Sequence, residues 1–152
     1  MRRYAFPETL QTVLVDMYDF DRVNRALLLG YPLDFEIKRW RGSLADAPDL
    51  ARYAQSTAAI RRELAPHLVR GTFRDRFDAH VEGPVEYGVH RAADGSLAIV
   101  LTNERDEPAA ARVAAAGRPA AGRLLEPAKP ARAYQAEHEV VVPPHGVSVV
   151  TL

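Results

Sequence analysis

The stretch 47–77, APDLARYAQSTAAIRRELAPHLVRGTFRDRF, decides how the rest of the chain is read. Leu50, Tyr53, Ala54, Thr57, Ile60, Leu64 and Leu68 recur at spacings of three and four. One apolar stripe therefore runs along a helix, while Arg52, Gln55, Arg61, Arg62 and Glu63 face away. Asp46, Pro48 and Asp49 make a helix start, because an N-cap carboxylate, an early proline and a first-turn acid all suit the unpaired amides there. Pro66 removes one helical hydrogen bond, so the helix kinks or stops near it. Arg70 then supplies a basic last turn, and Gly71 tolerates the left-handed geometry of a helix end.

Upstream, Pro7 biases Phe6 away from helix, and residues 9–15 carry β-branched and apolar weight in Thr12, Val13, Leu14 and Val15, the mark of a short buried strand. Asp16, Asp19 and Asp21 crowd the next turn. Asp19 or Asp21 caps a helix through Val23, Ala26, Leu27 and Leu28 that ends at Gly30. Tyr31 and Pro32 connect, and Asp34 caps a further helical turn or two through Ile37 and Trp40 to Gly42. On this reading the first half is helical with at most one strand.

Downstream of Phe77 the texture changes to short apolar runs cut by turn residues. Val85, Tyr87 and Val89 alternate with Glu86, Gly88 and His90, an Asp94-Gly95 turn follows, and residues 96–101 form the returning strand of a hairpin. Residues 109–115, 122–125, 131–135, 138–142 and 146–152 continue the pattern between proline- and glycine-bearing turns. Seven short strands argue an antiparallel sandwich. The alanine-rich run at 109–116 favours helix by propensity, but Pro108 and Pro119 bracket it closely, and it is read as an edge strand.

Composition limits the function. The 152 residues, 47% hydrophobic and 26% charged, suit one compact domain or two small ones. Twenty basic and twenty acidic side chains balance to a formal charge of +0, which leaves no global field to attract nucleic acid or an anionic membrane. Zero cysteines exclude disulfides, thiolate metal sites and cysteine nucleophiles. No apolar run is long enough for a signal peptide or a membrane span, so the chain as written is expected in the cytoplasm.

Three further stretches carry a resemblance: Arg3-Tyr4-Ala5-Phe6-Pro7-Glu8, Ala26-Leu27-Leu28-Leu29-Gly30-Tyr31, and Ile60-Arg61-Arg62-Glu63-Leu64 running to Gly71-Thr72-Phe73-Arg74-Asp75. With the closing Pro143-Pro144-His145-Gly146-Val147-Ser148-Val149-Val150-Thr151-Leu152, they resemble the C-terminal region of α-galactosidase-like (β/α)8 glycoside hydrolases and their uncharacterised relatives, where the last barrel helices precede a small β-sandwich. The resemblance covers nearly the whole chain. It implies catalytic carboxylates on barrel strands well upstream, and since a barrel takes about 250 residues, most of one is absent here. No catalytic residue is carried over. A gene fragment, an excised C-terminal region or a shortened relative that has lost the chemistry accounts for this.

Glycoside hydrolysis needs two carboxyl groups across a sugar-sized gap. Asp16, Asp19 and Asp21 form the densest acidic cluster, and with Tyr18 and Phe20 interleaved after a possible barrel strand they line a candidate sugar subsite, against the plainer reading of helix-capping acids. Arg3 and Glu8 are the second candidate pair, against an ordinary surface ion pair. His67, His80, His90, His138 and His145 form no metal-binding motif; His138 and Glu139 with His145 meet across adjacent strands or, more commonly, such histidines flank turns at the surface. Ser148 lies outside any nucleophile elbow, and no glycine loop cradles phosphate. Arg70, Arg74 and Arg76 with Phe73 and Phe77 read as a helix-to-sandwich joint with its aromatics packed inward, against a nucleic-acid contact whose charge Asp75 and Asp78 dilute; Trp40 reads as core against a sugar-stacking face, and Tyr87 and Tyr134 as alternating core positions against an exposed aromatic platform.

The expectations are therefore an α+β fold, with a helical region over residues 1–80 that is the remnant of a barrel end and an antiparallel β-sandwich over 81–152. The expected function is the structural C-terminal portion of a glycoside-hydrolase-like protein without catalysis of its own. The alternatives are a carbohydrate-binding or protein-interaction module, or a small enzyme using Asp16, Asp19 and Asp21. Neither cofactor nor metal is expected. The partners expected are a carbohydrate and either a second copy or a missing barrel portion covering the apolar stripe, with no nucleic acid and no membrane.

Overall fold

The computed structural model describes residues 11–16, 18–115, 117, 121–136 and 138–152. It opens with strand β1 (Val13–Asp16), helix α1 (Phe20–Leu29) and strand β2 (Leu33–Glu36), the two strands pairing in parallel from Val13 opposite Leu33 to Asp16 opposite Glu36. Asp19 is the N-cap of α1, its carboxylate accepting from the Arg22 amide at 3.2 Å. Gly30 closes the helix at φ 68°, with the Gly30 amide on the Leu27 carbonyl and the Tyr31 amide on that of Ala26. A Cβ at position 30 would also stand 2.8 Å from the Leu68 carbonyl oxygen.

The helical turns expected after Asp34 are instead β2 and a tight turn. Leu33 and Phe35 alternate with Asp34 and Glu36, and the free edge of β1 gives this period-two segment a partner that local pattern does not reveal. In the turn that follows, Lys38, Arg39 and Trp40 all adopt left-handed φ, at 50°, 52° and 65°, and Trp40 is 62% exposed rather than core. Of the strand expected over residues 9–15, positions 9 and 10 lie outside the described residues, and the strand seen runs to Asp16.

The stretch 47–77 holds two helices and a short strand. After a 3-10 turn (Leu44–Asp46) comes α2 (Pro48–Glu63), then α3 (Ala65–Leu68), then β3 (Thr72–Phe73). Pro48 takes the first helical position and Asp49 the first turn as expected, but the N-cap is Ala47, with no capping side chain. Asp46 serves the preceding turn, accepting from the Ser43 amide at 2.9 Å and from Lys38 Nζ at 2.6 Å, and Lys38 holds its carboxyl below the usual range. The helix breaks at Leu64, ahead of Pro66. Gly71 is required by crowding, not by handedness: a Cβ there would lie 2.3 Å from the His67 carbonyl oxygen and 2.7 Å from that of Arg91.

The remaining strands are β4 (His80–Glu82), β5 (Glu86–Arg91), β6 (Leu97–Asn103), β7 (Ala109–Ala114), β8 (Ala121–Leu125), β9 (Arg132–Gln135), β10 (Val140–Val142) and β11 (Gly146–Thr151). They form antiparallel sheets in the orders β3-β5-β6-β11-β8-β9 and β10-β7-β4. All seven expected strands are present, and β3 and β4 are additions. The alanine-rich β7 is no edge strand: it lies between β10 and β4. Ala109, Ala111 and Val113 are buried while Ala110, Arg112 and Ala114 are exposed, so period-two burial overrides alanine's helix propensity.

The fold is thus α+β, in three layers. Val89, Leu97, Ile99 and Leu101 pack across to Ala111, Val113, Val140 and Val142 of the smaller sheet, and Tyr134 donates from its hydroxyl to the Val113 carbonyl at 2.7 Å. The other face of the large sheet, with Ala98, Val100, Leu125, Val147 and Val149, is covered by Leu27, Leu28, Ile60, Leu64 and Leu68 of the helices. Consequently every residue of β6 is buried. A third cluster joins Val15, Val23, Ile37, Ala47 and Leu50. The apolar stripe of 47–77 is therefore covered from within the chain, with Leu50, Ile60, Leu64 and Leu68 at 5% exposure or less, each burial contributing roughly 1.5–3 kcal/mol.

Candidate functional site

The acidic cluster lies where β1 gives way to α1, and its three carboxylates have separate tasks. Asp16 ends β1 with an exposed side chain, and its carbonyl accepts from the Asp19 amide at 3.3 Å. Asp19 caps α1 and pairs with Arg22 Nε at 2.9 Å. Arg22 also donates to the Leu14 carbonyl at 3.0 Å, which occupies an acceptor on the β1 edge away from β2. Asp21 turns the other way, accepting from His145 Nδ1 at 2.8 Å. Tyr18 is 71% exposed at φ 67°. Arg3 and Glu8 lie outside the described residues.

His145 flanks a turn at the surface, the commoner of the two readings of such histidines, and also meets two aspartates that the local pattern does not reveal. It sits at φ 46° in the turn before β11 and puts Nε2 3.1 Å from Asp106 Oδ1, on the loop between β6 and β7. Its carbonyl accepts from Asn24 Nδ2 at 2.8 Å, and Asn24 Oδ1 accepts from the Tyr53 hydroxyl at 2.5 Å. Hydrogen bonds to Asp106 and then Asp21 hold the His145 imidazole above its ordinary pKa. Asp106 is almost fully exposed, so the half-buried Asp21 is the firmer partner. Burial pushes the Tyr53 hydroxyl up to about 12.

His80 and His138 are exposed, and His90 and His67 have packing tasks. His90 is fully buried, with Nε2 on the Leu28 carbonyl at 2.8 Å and its ring 5.1 Å from that of Phe73, because the helices cover the strand face expected to be polar. His67, Ser96 and Asp94 fall in line, but the order is wrong for a nucleophile: Ser96 Oγ gives its proton to Asp94 at 2.6 Å and accepts from His67 Nε2 at 2.9 Å. Burial lowers the His67 pKa. Glu139 pairs with Arg112, and Ser148 is buried inside β11. At the joint after α3, Phe73 packs inward as expected, but Phe77 is 57% exposed; Arg74 pairs with Asp78 and Arg76 lies over the Tyr87 ring. Among the described residues no three His, Cys, Asp or Glu side chains gather as a metal site, and no helix is long and apolar enough to cross a membrane.

Two clefts flank α1. One, of about 340 Å³, runs along β1 past Leu14, Asp21, Arg22, Arg25 and Glu104. The other, of about 420 Å³, is apolar and lies between α1, β2 and α2, walled by Ala26, Leu33, Phe35, Ala51 and Ala58. Only Asp21 of the three aspartates lines either one. At the carboxyl ends of β1 and β2, Asp16 and Glu36 are register partners, with exposed Tyr18 and Trp40 in the turns beyond.

Fold and site together describe a parallel β-α-β unit and helices laid on an antiparallel sandwich. No protein-family model and no curated protein sequence matches the chain. Among solved structures it is similar to a GH27 β-L-arabinopyranosidase from Geobacillus stearothermophilus, at 12% identity and a TM-score of 0.49, over 88% of this chain and 30% of that one. It is also similar to a GH42 exo-carrageenase from Bacteroides ovatus, at 12% identity and a TM-score of 0.35, over 92% of this chain and 21% of that one. Both are glycoside hydrolases, and the chain spans less than a third of the length of either.

Proposed function

We propose that this chain is the structural C-terminal portion of a glycoside-hydrolase-like protein, with residues 1–80 forming the end of a (β/α)8 barrel and 81–152 its sandwich, and that it has no glycosidase activity of its own. The observation that carries the reading is the β1-α1-β2 unit. Parallel strands joined by a crossover helix are the repeating unit of such barrels, and here one is followed by a further helix and then an antiparallel sandwich packed on the helices. The acids agree with it, since Asp19 is bound up in capping and Asp21 in the join to the sandwich, leaving no opposed pair across a sugar-sized gap within the cluster. In this reading the apolar cleft between α1, β2 and α2 receives the remaining barrel portion or a second copy. A panel of aryl glycosides is expected to show no turnover. Turnover that Asp16→Asn, Asp19→Asn or Asp21→Asn abolishes would establish the small-enzyme alternative instead.

A second reading is favoured by one observation. Tyr18 and Trp40 are both exposed on left-handed backbone beyond the ends of adjacent parallel strands, beside the Asp16 and Glu36 register pair. Exposed aromatic faces with carboxylates alongside suit a carbohydrate, the rings stacking on the sugar and the acids accepting from its hydroxyls. Trp40 is the chain's one tryptophan, so its fluorescence reports binding directly. A saturable change with a neutral oligosaccharide, lost in Tyr18→Ala, supports a binding module, and a flat titration up to millimolar sugar removes it.

A further inference from the structure

Both ring nitrogens of His145 face carboxylate oxygens, Nδ1 toward Asp21 at 2.8 Å and Nε2 toward Asp106 at 3.1 Å. Ionised carboxylates only accept, so both contacts are satisfied together only when both nitrogens carry hydrogens, as in the imidazolium. We propose that His145 is a proton-operated clamp between the β-α-β unit and the sandwich: charged, it ties the first turn of α1 to the loops at 103–106 and 143–146, and neutral, it releases one of them. On losing a proton the ring keeps a single N–H, and its bare nitrogen then faces a carboxylate lone pair. Asp106, with its side chain 98% exposed, goes to water. Asp21, whose Oδ1 is buried without a hydrogen-bond partner among the described residues, keeps the remaining proton on Nδ1.

The surroundings fit this device. From α1 come Asp21 and, along the adjoining cleft, Arg22 and Arg25; from the β6–β7 loop come Asp106, Glu104 and the Arg105 carbonyl, which accepts from the His145 amide at 3.3 Å. From α2 comes Tyr53, reaching His145 through Asn24 and neutral up to strongly alkaline pH. Arg22 is held by Asp19 and the Leu14 carbonyl, so it does not supply the charge that His145 gives up. The bonds of Asn24 and the backbone persist when the ring is neutral, so deprotonation loosens the corner without separating the layers. The direction follows from the raised pKa: the contribution is whole below the ordinary histidine value, about 6.5, and is lost as pH rises through the higher folded value.

The test is amide hydrogen exchange across the corner as a function of pH, corrected for intrinsic rates, alongside an NMR titration of the His145 ring. His145→Asn is the suitable variant, because asparagine tolerates the left-handed backbone at this position and leaves the carbonyl that Asn24 holds. In the wild type, protection at residues 103–106 is expected to fall with the same midpoint as the ring, above about 6.5, while that at residues 20–24, still tied to His145 through Asp21 and Asn24, holds. In His145→Asn the protection at 103–106 is flat with pH, and Asp106→Asn moves the ring midpoint down. A wild-type midpoint at or below the ordinary value overturns the clamp, as does a pH-dependent opening that survives in His145→Asn. Should His145→Asn fail to fold, Asp106→Asn decides alone, and an unmoved midpoint there overturns it.

Discussion

At the scale of single residues, Asn24 joins the two halves by hydrogen bonds. It is 1% exposed, donates to the His145 carbonyl and accepts from the Tyr53 hydroxyl. Asn24→Leu keeps the branched outline but strands both partners, and a stranded buried polar group costs about 1–3 kcal/mol. Urea denaturation should show a loss in that range, with Tyr53→Phe added to Asn24→Leu costing less than it does alone, because the pair shares one bond. A loss below about 0.5 kcal/mol would mean that water replaces the amide. Asp19 and Gly30 were legible in the sequence because a cap and a left-handed helix end act within a few residues. Asn24 and His145 were not, since the partners stand 121 positions apart and neither occurs in a local motif. Trp40 shows the opposite failure. Its apolar neighbours Ile37 and Leu44 suggested core, but three left-handed residues in succession carry the ring out to solvent.

At the scale of elements, α3 tests how firmly the helices and the large sheet depend on each other. Leu68 is 1% exposed and belongs to the cluster with Ala98, Val100 and Val147, whereas its neighbour Val69 is 51% exposed. Leu68→Ala is expected to cost about 2–5 kcal/mol and Val69→Ala under about 0.5 kcal/mol, both read from chemical denaturation. Equal effects would show that the short helix does not seal the sheet. The hairpin of β5 and β6 could be read from sequence because its turn and its alternation are adjacent. The parallel partnership of β1 and β2, the central place of β7 and the two-residue β3 could not, because each is decided by a strand distant along the chain. The burial of both faces of β6 has the same origin: the continuous run Leu97–Asn103 is apolar enough for it, but only the helices laid across the sheet make it so.

At the scale of the whole molecule, association is set by charge and by the apolar surface left over. The stripe on α2 and α3 is covered within the chain, so it supplies no drive to dimerise. Among the described residues, what remains is the apolar cleft between α1, β2 and α2, with Leu44 at its rim and Tyr18, Trp40, Val69, Phe77 and Val141 exposed elsewhere. Such surface associates when electrostatic repulsion does not oppose it, and the formal charge is +0 at pH 7. Light scattering at high micromolar concentration is therefore expected to show the greatest association near neutrality. It should fall on the acid side as carboxylates and histidines gain protons, and on the alkaline side as net negative charge builds. Ala58→Glu, on the wall of the cleft, separates the two contributions. If the cleft is the contact, the variant stays monomeric at neutrality, where one added charge changes the net repulsion little but sets an ion against an apolar wall. A wild-type chain that is a monodisperse monomer near neutrality and binds no hydrophobic dye would show that the cleft drives no contact between copies.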